Sequence, residues 1–186
     1  MTDHETALLE ILRQRSFQRG TFRLASGDVS NYYIDGRMSV VYSASAHLIG
    51  EVLYERTKDL NIDAIGGLEV GAVPLVTAAA ISYHQHGGVM EGFWVRNAAK
   101  GHGTKKTIEG GVKPGMRVVI VDDVFTKGES ALKAVQAVRE IGCTVVRVLA
   151  LVDRLAGARE LFRKEGIENY DAVFTIEDLG VEVGKS

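Results

Sequence analysis

Apolar positions along this chain follow two rhythms. Residues 118–121, Val-Val-Ile-Val, form an unbroken β-branched run, which suits a strand buried on both faces of a parallel sheet. After a polar break, Ala131, Leu132, Val135, Val138 and Ile141 recur at helical spacing. The same reading extends in both directions. Ala7, Leu8, Ile11 and Leu12 make a helical stripe over residues 3–15, and residues 20–35 read as two short strands around a Ser26-Gly27-Asp28 turn. A second amphipathic helix covers 45–58, a buried strand 61–67, and a helix 75–84. Strands follow at 89–95 and 144–152, a short helix at 156–165 and an edge strand at 171–176.

Strands near 62, 90, 118, 145 and 172, with helices between three of the pairs, predict one α/β domain over residues 1–186. Its centre is a mostly parallel sheet flanked by helices, spanning about residues 60–176. An N-terminal hood occupies about residues 1–40. No helical pattern joins the strand at 89–95 to the one at 118. Residues 96–111 stand there instead, with four Lys or Arg side chains, one histidine and almost no apolar periodicity. They read as a long flexible loop or hairpin, either a solvated surface loop or a lid that closes over an anion.

Composition narrows the classes. Hydrophobic residues at 46% and a formal charge of −2 suit a globular protein without the basic field that nucleic acid or an anionic membrane calls for. The one cysteine, Cys143, excludes an intramolecular disulfide framework. With no apolar signal core at the N-terminus and no run of membrane-spanning length, the expectation is a soluble cytoplasmic protein. His84 and His86, two apart on one helix, do not face one another and read as exposed residues at a helix end.

The candidate chemistry lies in the polar break, Asp122-Asp123-Val124-Phe125-Thr126-Lys127-Gly128-Glu129-Ser130. Ligands of open α/β sheets bind outside the carboxyl ends of strands. A loop of Thr, Gly and Ser leading into a helix offers backbone N–H groups and hydroxyls to a phosphate. Adjacent carboxylates repel a bare phosphate but accept hydrogen bonds from a polyol, so the combination suits a ribose phosphate. The bland reading, a strand end and helix cap, explains the acidic pair but not the small-residue loop beside it.

Residues 117–130 resemble the phosphoribosyl-pyrophosphate (PRPP) motif of the type I phosphoribosyltransferases. Phe22-x-Leu24-x-Ser26-Gly27-x-x-Ser30-x-Tyr32 and Arg96-x-x-x-Lys100-x-His102-Gly103 are similar to two segments of the orotate phosphoribosyltransferase family. The resemblance implies the type I fold and transfer of phosphoribosyl from PRPP to orotate, giving orotidine 5′-monophosphate and pyrophosphate in pyrimidine biosynthesis. It implies catalytic roles for Asp122, Asp123, Lys100 and His102. PRPP would also meet Arg96, Val124, Phe125, Thr126, Lys127, Gly128, Glu129 and Ser130, and Val70 and Gly71 in the loop after the 61–67 strand. Orotate would meet Thr126, Arg154, Ser26, Tyr32 and Tyr33. The cofactor implied is Mg²⁺, held mainly by PRPP and water with no direct protein ligand. The partner implied is a second copy, with the lid shared across a homodimer. Lysines common in the family are replaced by Ala25, Val70 and Asn97, which keeps open a phosphoribosyltransferase for another base or a PRPP-sensing regulator.

Overall fold

The N-terminal stripe folds as α1, Asp3–Arg15, opened by a capping box in which the Thr2 side chain accepts from the Glu5 N–H and Glu5 accepts from the Thr2 N–H. β1, Phe17–Arg23, and β2, Val29–Ile34, pair antiparallel as a ribbon of their own. One helical turn, α2 at Arg37–Val40, precedes α3 at Ser43–Thr57. Then come β3, Ala64–Leu68, α4, Ala72–Gln85, and β4, Glu91–Val95. β5, Ile108–Gly110, β6, Arg117–Phe125, and α5, Glu129–Glu140, follow. The chain closes with β7, Thr144–Asp153, α6, Ala158–Lys164, and β8, Tyr170–Thr175. This computed structural model describes residues 1–23, 29–97 and 107–182.

The main sheet has the order β5-β4-β3-β6-β7-β8, parallel throughout except for β5. From β3 the chain moves outward to β4 and β5, then returns to place β6 on the other side of β3. The strand order therefore reverses between β3 and β6, and a crevice opens at their carboxyl ends. Ile65, Val119, Val121, Leu149 and Leu151 bury one face against α1, α3 and α4. Val118, Ile120, Val148 and Ala150 bury the other against α5 and α6. Residues 118–121 are all at most 1% exposed, as a strand covered on both faces requires.

Two features depart from the sequence reading. β6 runs on through the acidic pair to Phe125, because parallel pairing with β7 continues to Asp153. β5 is an additional antiparallel edge strand, so the segment between β4 and β6 includes a short hairpin partner. His86 is exposed at the helix end, as expected, and its ring is also engaged by neighbours. Its ring stacks on Tyr54 at 4.0 Å and its Nε2 lies 2.9 Å from Oε2 of buried Glu51, whose Oε1 accepts from Ser82. A second charged cluster, Arg56 with Glu5 and Asp171, ties α1 to α3 and β8.

Candidate active site

Gly67, the fourth residue of β3, and Gly71, just before α4, let the backbone pass close to the end of β6. A methyl group on Gly67 would run into the Val121 carbonyl oxygen. One on Gly71 would sit 3.0 Å from Asp123 Oδ1 and 3.2 Å from Asp122 Oδ1. Both carboxylates thus edge the crevice beside the β3–α4 turn. The Glu69–Val70 peptide in that turn is cis, and Val70 is 71% exposed.

Crowding two carboxylates at a buried strand end perturbs both. Burial, reinforced by the charge of Asp123, pushes the Asp122 carboxyl up to about 8. Burial also raises Asp123, against hydrogen bonds from the Val124 N–H and from its neighbour. Such a pair does not readily carry two full negative charges by itself. It welcomes whatever brings hydrogen-bond donors or positive charge.

The loop that follows is set for an anion. Gly128 adopts φ +80°, and a side chain there would collide with the Phe162 ring. It starts α5 with no side-chain cap on the helix N-terminus, so first-turn N–H groups are left for another acceptor. Thr126, Lys127, Glu129 and Ser130 are exposed, whereas Phe125 is buried against Phe162 and Tyr170. Phe125 therefore contributes backbone, not side chain, to this edge. Val124 packs against the core on the α1, α3 and α4 side.

Arg154, directly after β7, lies beside the same edge. Its N–H donates to the Phe125 carbonyl at 2.9 Å and its Nε to the Tyr32 hydroxyl at 3.2 Å. Strand alternation puts Tyr32 and Tyr33 on opposite faces of the ribbon. Tyr32 meets Arg154, while Tyr33 packs on Phe22 and is not part of that contact. Arg96 leaves β4 half-buried, with Nη1 3.6 Å from Glu109 and Nε buried without a hydrogen-bond partner among the described residues. Ser26, Lys100 and His102 lie outside the described residues.

A model of the phosphoribosyl transferase domain matches residues 40–182. The chain is 42% identical over 182 residues to the orotate phosphoribosyltransferase of Rhodopirellula baltica, covering 94% of this chain and 93% of that one. It is 47% identical over 164 residues to the Bradyrhizobium diazoefficiens enzyme of the same name, covering 86% and 88%. The chain belongs to the orotate phosphoribosyltransferases. A Mycobacterium tuberculosis orotate phosphoribosyltransferase, crystallised in complex with PRPP, superposes with a TM-score of 0.80 at 37% identity, covering 96% of this chain and 99% of that one. The sheet and crevice described above are thus those of the type I phosphoribosyltransferase fold.

Some neighbours of this orotate phosphoribosyltransferase crevice are not evident from sequence pattern. Gly36 packs against the acidic pair so closely that a methyl there would lie 2.5 Å from Asp123 Oδ2. Asp35 and Arg37 flank it as an ion pair at 2.8 Å. The only local signal is a Gly after a strand end. Glu69 accepts the Asn97 N–H at 3.0 Å and so joins the β3–α4 turn to the segment after β4. Asp153, next to Arg154 at the end of β7, is 2% exposed.

Proposed function

We propose that this protein catalyses transfer of phosphoribosyl from PRPP to orotate, forming the bond from orotate nitrogen to ribose C1 as the bond from C1 to pyrophosphate breaks and the proton on that nitrogen is released. The observation that carries this reading is the end of β6, where a buried and a half-buried carboxylate stand beside a helix start that no side chain among the described residues caps. Backbone groups of residues 125–130 bind the 5′-phosphate. Asp122 and Asp123 accept hydrogen bonds from the ribose hydroxyls and stabilise positive charge developing on the sugar. Glu129 is exposed in the first turn of α5, where it favours the dipole and stays off the phosphate.

On the base side, the planar fork of Arg154 suits a carboxylated pyrimidine, and Tyr32 walls the pocket with Thr126 and Ser26. Arg96, Lys100 and His102 neutralise the departing pyrophosphate, and residues 96–111 act as the lid. The buried, unpartnered Nε of Arg96 is available to such an anion. The whole chain works as one domain, with residues 1–40 as hood, in a cytoplasmic homodimer that shares its lids. No helix among the described residues is long and apolar enough to cross a membrane.

Magnesium fits this site. The nearby donors are the hard carboxylate oxygens of Asp122 and Asp123, and Mg²⁺ ordinarily keeps several waters and binds through substrate phosphates with one or two carboxylates. The ion would therefore be held mainly by the diphosphate and water, at the edge marked by Asp122 and Asp123. Bound there, it supplies charge neutralisation to the leaving group.

The test is loss of orotate absorbance with PRPP and Mg²⁺, wild type beside Asp123→Asn and Lys100→Ala. Wild type should consume orotate, and each variant should lose about a hundredfold or more in kcat. PRPP binding with no orotate turnover would sink the orotate assignment and turn attention to uracil and purine bases.

A further inference from the structure

β7 ends in two neighbours with unlike surroundings. Arg154 reaches Tyr32, whereas Asp153 is sealed in. A carboxylate at that depth needs partners for its oxygens, and both have one. Oδ1 accepts the Leu155 N–H at 2.9 Å, and Oδ2 accepts the Tyr170 hydroxyl. Its backbone is engaged as well, since the Asp153 carbonyl accepts the Ile176 N–H at 2.8 Å.

One of these bonds closes the turn that carries Arg154, and the other two tie Asp153 to β8 and the residue after it. Leu155 has φ +55°, a left-handed conformation that leucine seldom adopts. The bond from the Asp153 carboxylate to the N–H two residues on closes an Asx turn with Arg154 in the middle. Arg154 is thus held by its own N–H on Phe125, by the clamped N–H that follows it, and by its guanidinium on Tyr32.

Tyr170 is fixed in turn. Its ring lies 5.8 Å from Phe125 and 5.5 Å from Phe162, with the Arg159 guanidinium 5.6 Å over it. Burial, with the bond to Asp153 adding to it, pushes its phenol well above the ordinary value, so it remains a donor across the working pH range. A strand end alone does not call for a buried carboxylate, which is costly to desolvate. Here one oxygen closes the turn that carries Arg154, and the other is anchored to Tyr170 on β8.

We propose that Asp153 is a positioning residue for base recognition: clamped by Tyr170, it sets the turn that aims Arg154 at the carboxylate of orotate. The proposal rests on reading Arg154 as an orotate contact. It assigns Asp153 and Tyr170 no contact with substrate. Their effect is confined to the affinity for orotate and passes through Arg154.

Steady-state kinetics on Arg154→Ala, Asp153→Asn, Tyr170→Phe and the Arg154→Ala/Asp153→Asn double variant test this. Arg154→Ala should raise KM for orotate by about tenfold or more, the loss of a hydrogen bond to a charged group. Asp153→Asn and Tyr170→Phe should each raise it several-fold, with kcat and KM for PRPP moving by less than about twofold, the pattern of lost uniform binding. In the Arg154→Ala background, Asp153→Asn should add less than about twofold. Full multiplication in that background, or an equal rise in both KM values, would overturn the proposal. An unchanged KM for orotate in Arg154→Ala would instead remove its premise, the Arg154 contact. Should Asp153→Asn fold poorly, Tyr170→Phe, which deletes one oxygen from a clamped ring, decides between these outcomes.

Discussion

The Arg154 guanidinium lies 4.8 Å from the centre of the Tyr32 ring while its Nε donates to the hydroxyl of the same residue. The two residues are 122 positions apart, and their contact joins the N-terminal ribbon to the end of β7. It combines a cation–π attraction with a hydrogen bond, which can be separated by substitution. Tyr32→Phe keeps the ring and loses the bond, so KM for orotate should rise by about two- to fivefold. Tyr32→Ala removes both and should raise it by more than about tenfold. Equal effects of the two variants would show that the hydroxyl alone matters.

Gly36 offers a way to disturb Asp123 without touching it. Its backbone is right-handed helical, which alanine adopts freely, so Gly36→Ala carries no conformational penalty. The new methyl would nevertheless lie 2.5 Å from Asp123 Oδ2, and the carboxylate must move. Because small displacements of a catalytic group are costly, kcat should fall by about tenfold or more. The melting temperature should stay within about 2–4 °C of wild type, the span of a 1 kcal/mol change in a chain of this size. Unchanged turnover would show that Asp123 tolerates the shift.

The raised carboxyl of Asp122 makes the free protein's stability depend on pH in a definite direction. Its ordinary value is 3.8 and burial with Asp123 alongside pushes it to about 8. Between those values the folded chain holds a proton that the unfolded chain releases. Stability from this group is therefore full below pH 4 and is lost as pH rises through about 8. Asp122→Asn cannot ionise, so its melting temperature should gain on wild type from pH 5 to pH 8, while activity is lost. Parallel melting curves for the two proteins across that range would remove the argument.

How much of this was legible depends on how far apart in the chain the cause lies. Residues 118–121 announce a buried strand because two-sided burial leaves no polar position, and the loop to Ser130 stands out as a candidate anion site because its residues are consecutive. The extent of β6 was not legible, since it is set by pairing with β7 as far as Asp153. β5 is three residues long and has no pattern of its own; it exists because Trp94 and Val95 offer an edge. The burial of Asp153 was not legible, because its partner, Tyr170, begins the next strand 17 positions later. Tyr32 and Arg154 were singled out by resemblance to a family, not by periodicity, and only the fold shows that they touch.

Val70 stands where the family resemblance leads one to look for a lysine, and its surroundings say what restoring that charge would do. The side chain is 71% exposed, so Val70→Lys buries no charge and should leave the melting temperature nearly unchanged. The position adjoins Gly71, whose neighbours are the Asp122 and Asp123 carboxylates. In the proposed binding mode, a lysine there would add positive charge beside the polyphosphate of PRPP, at a surface where a single ion pair is worth up to about 1 kcal/mol. KM for PRPP should therefore fall by about two- to fivefold at low ionic strength, with KM for orotate unaffected. Because the new interaction is exposed, the gain should shrink as salt is raised. A fall in KM that survives high salt would point to a direct, desolvated contact. No fall at any salt would show that this turn does not face the diphosphate.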